Sequence, residues 1–195
     1  MKAFAQAFQL LIRDKLPVYL VMTGLYQNLY DLQNNPSITF LYRSPKILLE
    51  PLNIASISAR YKEAFSLNDE EALLLANYTK GYPFAYQVLG YLLWENEAKT
   101  VNERILSLFD QYLQEFVYEK VWMELSGNDK AVLLAINGDG QTSIEEIKNR
   151  SKMNAKTLSV YRDRLIKRGI LKSESYGVVS LKLPRFYEFM RQKAM

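Results

Sequence analysis

The sequence predicts a mainly α chain with a small amount of β structure, and three observations carry that expectation. Apolar residues recur at helical spacing through most of the 195 residues. Capping signals stand where several of those stretches begin, at Asn68 or Asp69, at Ser143 with Glu146, and at Asn154. Two-residue alternation is confined to 170–183, around Ser175-Tyr176-Gly177. With 49% hydrophobic and 24% charged residues the chain has the composition of a folded globular protein, long enough for one large domain or two small ones. It has no cysteine and no histidine, which excludes disulfides, Cys or His zinc sites, a cysteine nucleophile and a histidine general base.

Residues 2–14 place Phe4, Ala7, Phe8, Leu11 and Ile12 at helical spacing, and Pro17 ends that helix. The run 18–22 is apolar throughout and reads as a strand buried on both faces. Thr23-Gly24 closes it, 25–32 returns to helical spacing, and Asn34-Asn35-Pro36 is a loop. Residues 46–50 form a second short strand candidate, stopped by Pro51. Two strands make a poor sheet, so the piece reads as the end of a larger parallel sheet whose other strands are missing from the sequence. From 53 to 116 the pattern is helical: 54–65, then a helix opened by Asn68 or Asp69 and ended by Gly81, a third with Pro83 as its first residue, and a fourth over about 101–116.

Past residue 118 the character changes. Residues 119–136 read as one helix and Asn137-Gly138-Asp139-Gly140 as a turn, since the alternating acids and terminal glutamate of a calcium loop are absent. The capping box at Ser143 opens a short helix to Arg150, a tight turn follows at 151–153, and Asn154 caps another helix ending at Gly169. Then come the hairpin and a final helix over 184–193. Helix, helix, turn, helix, hairpin is the order of a winged helix-turn-helix. This half is also the basic one: 118–195 carries 15 basic and 9 acidic side chains, against 10 and 12 in 1–117, for +4 overall.

Within 143–172 nine basic side chains face three acidic ones. In the helix after Asn154, Leu158, Val160, Tyr161, Leu165 and Ile170 are expected toward the core, with Lys156, Thr157, Ser159, Arg162 and Lys167 outward. Duplex DNA is the partner this pattern suits. Lys156, Thr157, Ser159 and Arg162 would face the groove, and Lys148, Lys152 and Lys172 would contact phosphates. The hairpin tip at Ser173, Ser175 and Tyr176 is less basic than a strong minor-groove wing. The same element order also serves protein-interaction modules with a solvated basic face, and that alternative stays open.

No GxxxxGK[ST] occurs, and no glycine marks a phosphate-cradling loop. The longest uncharged stretches, 16–30 and 81–94, hold 15 and 14 residues, short of the roughly 20 a membrane helix needs. The N-terminus does not resemble a signal peptide, so a cytoplasmic location is expected.

The segment Leu16-Pro17-Val18-Tyr19-Leu20-Val21-Met22-Thr23-Gly24, the segment Phe40-Leu41-Tyr42-Arg43-Ser44-Pro45-Lys46-Ile47-Leu48-Leu49-Glu50-Pro51-Leu52 and the segment Lys80-Gly81-Tyr82-Pro83-Phe84-Ala85-Tyr86-Gln87 come in that order and precede the winged-helix pattern. Together they resemble the C-terminal portion of a prokaryotic AAA+/STAND-type P-loop ATPase: the strand after Walker B, the "YGR…I.L.PL" segment and the G-x-P motif of the helical lid. The resemblance implies a remnant of the α/β core in 1–52, a helical lid bundle in 53–117 and the winged helix-turn-helix in 118–195. It places Thr23, Arg43, Gly81 and Pro83 near a nucleotide, and implies ATP and magnesium for an intact parent protein. Without a phosphate loop or Walker B acid, this chain alone is expected to hold no cofactor, catalytic residue or metal and not to hydrolyse ATP. The expectation is therefore a truncated or separately encoded DNA-binding portion of such a protein, with self-association through the orphan α/β piece, or binding of the missing core, as further partners. A winged-helix regulatory module packing on an ATPase core or other partner is the alternative.

Overall fold

Three strands form among the described residues, all between 142 and 181, in a computed structural model that describes residues 2–24, 26–36, 39–45, 47 and 49–194. The rest of the regular structure is helical. The chain divides into two units, Met1–Leu49 and Glu50–Met195.

The N-terminal unit contains α1 (Lys2–Arg13), α2 (Tyr26–Gln33) and the single turn α3 (Thr39–Tyr42). Its core is small: Ala5 and Leu41 are the buried apolar side chains among the described residues, with Met22, Leu32 and Phe40 against them. The strand expected over 18–22 does not form, and its burial is overturned as well, because Tyr19 is 94% and Val21 85% exposed. Of the second candidate, Lys46 and Leu48 lie outside the described residues, while Ile47 and Leu49 are exposed and in no strand. The physical reason is the one that made the pair suspect: a strand without a neighbour has no ladder to complete.

The C-terminal unit begins its helices where the caps direct. Asn53 accepts from the Ser56 N–H and opens α4 (Ile54–Phe65), and Asn68 forms a reciprocal capping box with Glu71 ahead of α5 (Asp69–Tyr78). Pro83 is the first residue of α6 (Pro83–Glu95), where its missing N–H costs nothing. Then α7 (Glu103–Leu113) runs directly into a π-turn at Gln114–Tyr118 and on into α8 (Glu119–Met123). The single helix expected over 119–136 is broken instead at Ser126. That side chain accepts from the Asp129 N–H while Asp129 returns a carboxylate to the Ser126 N–H, so a second capping box opens α9 (Gly127–Leu134).

After α9 comes β1 (Thr142–Ser143), a two-residue strand not expected from the sequence, then α10 (Ile144–Ser151), α11 (Ala155–Lys167), β2 (Leu171–Ser175), β3 (Val178–Leu181) and α12 (Phe186–Lys193). The sheet is antiparallel in the order β1-β3-β2, with a bulge between Ser173 and Ser175. Gly177, at φ +74°, completes the two-residue turn.

One apolar cluster runs from Ile57 to Met190 through this unit, and Tyr118 brings the π-turn into it. Tyr118 is buried beside Phe186 and Phe189, at ring separations of 5.0 and 5.5 Å, and its hydroxyl donates to the Pro184 carbonyl. Burial pushes that hydroxyl's pKa far up, so it stays protonated. Arg185, held at φ +56°, caps the same corner with two bonds to Asp110, at 2.7 and 2.5 Å. Replacing Tyr118 by Phe leaves the Pro184 carbonyl without its donor while keeping the ring. A loss of about 1–2 kcal/mol is expected, read as a lower denaturant midpoint with an unchanged slope.

Candidate nucleic-acid interface

Local chemistry builds α10, the turn and α11. Ser143 accepts from the Glu146 N–H, and the Glu146 carboxylate accepts from the Ser143 N–H at 3.0 Å and from its hydroxyl. Those two bonds hold Glu146 below the usual carboxylate range. Lys152 takes the left-handed conformation, φ +56°, that ends α10, and Asn154 accepts from the Thr157 N–H at 2.9 Å to start α11.

Leu158 and Leu165 bury one face of α11, with Tyr161 packed beside them and accepting from the Asn128 amide. Val160, expected toward the core, is 59% exposed, because α11 presents 156, 159, 160, 163 and 167 along its outer stripe.

The nine basic side chains of 143–172 fall into two groups. All four arginines are engaged. Arg150 donates to the Ala135 carbonyl, Arg168 to the Glu124 carbonyl, Arg164 lies 3.6 Å from the buried Asp129, and Arg162 is paired with Asp163 at 2.7 Å. Of the lysines, Lys172 is held by Glu174 at 3.0 Å, which Ser180 also contacts at 2.6 Å. Lys148, Lys152, Lys156 and Lys167 are exposed and have no ion pair among the described residues. The expected set is thus divided: Lys148, Lys152, Lys156 and Ser159 point to solvent and Thr157 is half-buried, while Arg162 and Lys172 are paired within the protein. The sequence reading missed Val160 on the outer stripe, while Tyr176, placed by it at the hairpin tip, is fully exposed there.

Thr23 and Arg43 are exposed in the N-terminal unit. In the C-terminal unit Pro83 is exposed at the start of α6, and Gly81 sits in a tight approach. The Leu52 N–H donates to the Gly81 carbonyl at 2.8 Å, so two of the segments singled out in the sequence, Pro51-Leu52 and Gly81-Tyr82-Pro83, meet in space. Gly81 is at φ +75°, and an added Cβ would stand 2.5 Å from the Leu52 carbonyl oxygen. Beside this contact is a cleft of about 500 Å³ lined by Pro51, Leu52, Lys80, Asp139, Lys172 and Lys182, among others. Each of its lysines has an acid: Lys80 with Asp139 at 2.7 Å, Lys172 with Glu174, Lys182 with Glu50 at 3.6 Å. With its cations matched in this way the cleft offers no surplus charge to an anion. Among the described residues no group of three or more acidic, histidine or cysteine side chains could hold a metal, and no helix is long and apolar enough to cross a membrane.

Residues 115–190 match a family model described as a domain of unknown function, DUF8462. That stretch runs from the π-turn into α12 and holds the whole lysine face. No curated protein matches the chain. Among solved structures, the Holliday junction branch migration motor RuvB of Thermotoga maritima is 20% identical with a TM-score of 0.29, over 73% of this chain and 50% of that one. A point variant of the same protein is 20% identical with a TM-score of 0.30, over 78% and 53%. The chain spans about half the length of these structures.

Gly81→Ala adds a clash with backbone to an unfavourable φ, and should cost about 2 kcal/mol or more. Thermal unfolding would show this as a drop of several degrees, at about 2–4 °C per kcal/mol for this size. The Glu146 cap sets an acid limit. Its folded pKa is lowered, so its contribution is present above the ordinary value of 4.5 and is lost as pH falls through the folded value. Melting temperatures measured across the acid range should fall less steeply for Glu146→Gln than for the native chain.

Proposed function

We propose that residues 118–195 form a winged helix-turn-helix that binds duplex DNA through the outer face of α10, the turn and α11. The observation that carries this reading is the division of the cations. The arginines of 143–172 are engaged by carbonyls or acids of the fold, while Lys148, Lys152, Lys156 and Lys167 are exposed and have no ion pair among the described residues. Unpaired lysines around a helix of groove width are suited to phosphate contact, which supplies affinity and position but no sequence reading. The element order α9-β1-α10-α11-β2-β3 and the sheet order β1-β3-β2 support the same reading.

Base contact then falls to the N-terminal half of α11. Lys156 and Ser159 can reach base edges and Val160 can meet a thymine methyl, whereas Asp163 places a carboxylate on the C-terminal half that phosphates would repel. Arg162 and Lys172 must give up an ion pair before touching DNA, so their share is the smaller one. Motif order and the Leu52–Gly81 contact support a relation to AAA+/STAND ATPases. In that relation each unit carries its own nucleotide-proximal positions by motif, Thr23 and Arg43 in the first and Gly81 and Pro83 in the second, and the chain by itself does not hydrolyse ATP. A second reading, a module that docks on an ATPase core or other protein, is favoured by the hairpin, where Lys172 is held and Tyr176 is presented at the tip.

Anisotropy of a labelled random-sequence duplex, titrated at low and at physiological salt, tests the proposal. Affinity should fall steeply with salt, and Lys156→Ala should reduce the salt slope by about one while Lys172→Ala changes it less. No binding at low salt would overturn the DNA reading in favour of the protein-docking one.

A further inference from the structure

The N-terminal unit carries a segment whose hydrogen-bonding capacity is unspent. Residues 18–24 form neither helix nor strand. From Tyr19 to Thr23 no backbone hydrogen bond is made with any described residue. Exposure alternates with the period of a strand: Tyr19 and Val21 point to solvent, while Leu20 and Met22 are half-buried and Met22 rests on the small core of Ala5 and Leu41. Val18 spends its N–H on the Leu16 carbonyl, but the four apolar residues that follow make no backbone bond with a described residue and have one covered face, a sheet edge without a sheet. The unit does not bury them itself, since its described core holds two fully buried apolar residues.

We propose that 18–22 pairs antiparallel with the same segment of a second copy of this chain, about a two-fold axis at Leu20. The segment is self-complementary in that register. Leu20 meets Leu20, Val18 meets Met22, and each exposed Tyr19 lies opposite the exposed Val21 of the other copy. An aromatic residue across from a β-branched one is among the favourable cross-strand pairs, and the symmetry makes it twice. No charge falls within the paired residues to oppose the contact, and the nearest ones, Asp14 and Lys15, lie beyond Pro17. Pairing supplies partners for the backbone groups and covers the two most exposed side chains of the segment in one step.

The proposal is independent of DNA binding, which uses lysines in the other unit. Light scattering after gel filtration, from micromolar to near-millimolar protein, should show a mass rising from 22.7 kDa toward twice that value. Val21→Lys and Tyr19→Lys change exposed positions and should restore the monomer with unchanged far-ultraviolet circular dichroism. The chain has no cysteine, so Leu20→Cys introduces a single thiol. Directly opposed residues of an antiparallel pair lie about 4.5–5.5 Å apart at Cα, inside the range a disulfide spans. Leu20→Cys should therefore oxidise to a covalent dimer far faster than Tyr176→Cys at the exposed hairpin tip. A native chain that stays monomeric over the whole concentration range overturns the proposal, as would occur if the segment awaits a different protein's sheet. A dimer that survives Val21→Lys, or equal cross-linking at the two cysteines, overturns it as well.

Discussion

The C-terminal unit depends on where one ring is placed. Tyr118 closes a π-turn, and the residue that such a turn inserts into the helical ladder shifts the side chains after it relative to those before. Leu113 and Phe109 face the helices that precede them, while Tyr118 turns into Phe186 and Phe189. Its hydroxyl end is met by the Pro184 carbonyl, and Arg185 closes the corner on Asp110. Arg185 holds a left-handed backbone that costs a non-glycine residue of order 1 kcal/mol or more, and the two-bond contact to a carboxylate offsets it. Helices on either side of residue 117 consequently share a core, and the lysine face is presented by a scaffold anchored in α7 and α12.

Within that scaffold the cations are sorted by residue type. Asp129 has no exposed surface, caps α9 through Ser126, and draws Arg164 to 3.6 Å. Two backbone carbonyls left at the ends of α8 and α9 are taken by Arg168 and Arg150. A guanidinium suits these places because it presents several donors in a fixed fork and can serve a carbonyl while its rim stays wet. The ammonium groups go outward, on flexible stems that keep their hydration.

What the sequence disclosed, and what it concealed, follows the range of the interactions concerned. The caps at Asn68, Ser143 and Asn154 were legible because side chain and N–H lie three residues apart, while the cap of the same kind at Asn53 went unread. The hairpin was legible from its turn residues. Ser126-Gly127-Asn128-Asp129 carried the same kind of signal as Ser143 but was overridden by the apolar spacing around it, so one helix was expected where two form. Strand formation at 18–22 failed for a different reason. Its pattern is a property of five residues, while pairing needs a second strand that the described residues of its own unit do not supply. At the candidate interface, sign and position of the lysines were legible, but engagement was not, since Arg150 and Arg168 are fixed by carbonyls 15 and 44 residues away. The Lys172–Glu174 pair was missed as well, Lys172 having been assigned to phosphate contact, although residues two apart on a strand share a face and carried the signal.

The separation of arginines from lysines has a consequence for how this surface can vary. In α10 and α11 the cations engaged by carbonyls or acids are arginines, while the lysines have no ion pair among the described residues, so loss of a lysine's charge leaves every described ion pair of these helices in place. Neutralising chemistry at lysine, acetylation being the common form, would act on the outer potential as a dial with no lever on the packing beneath.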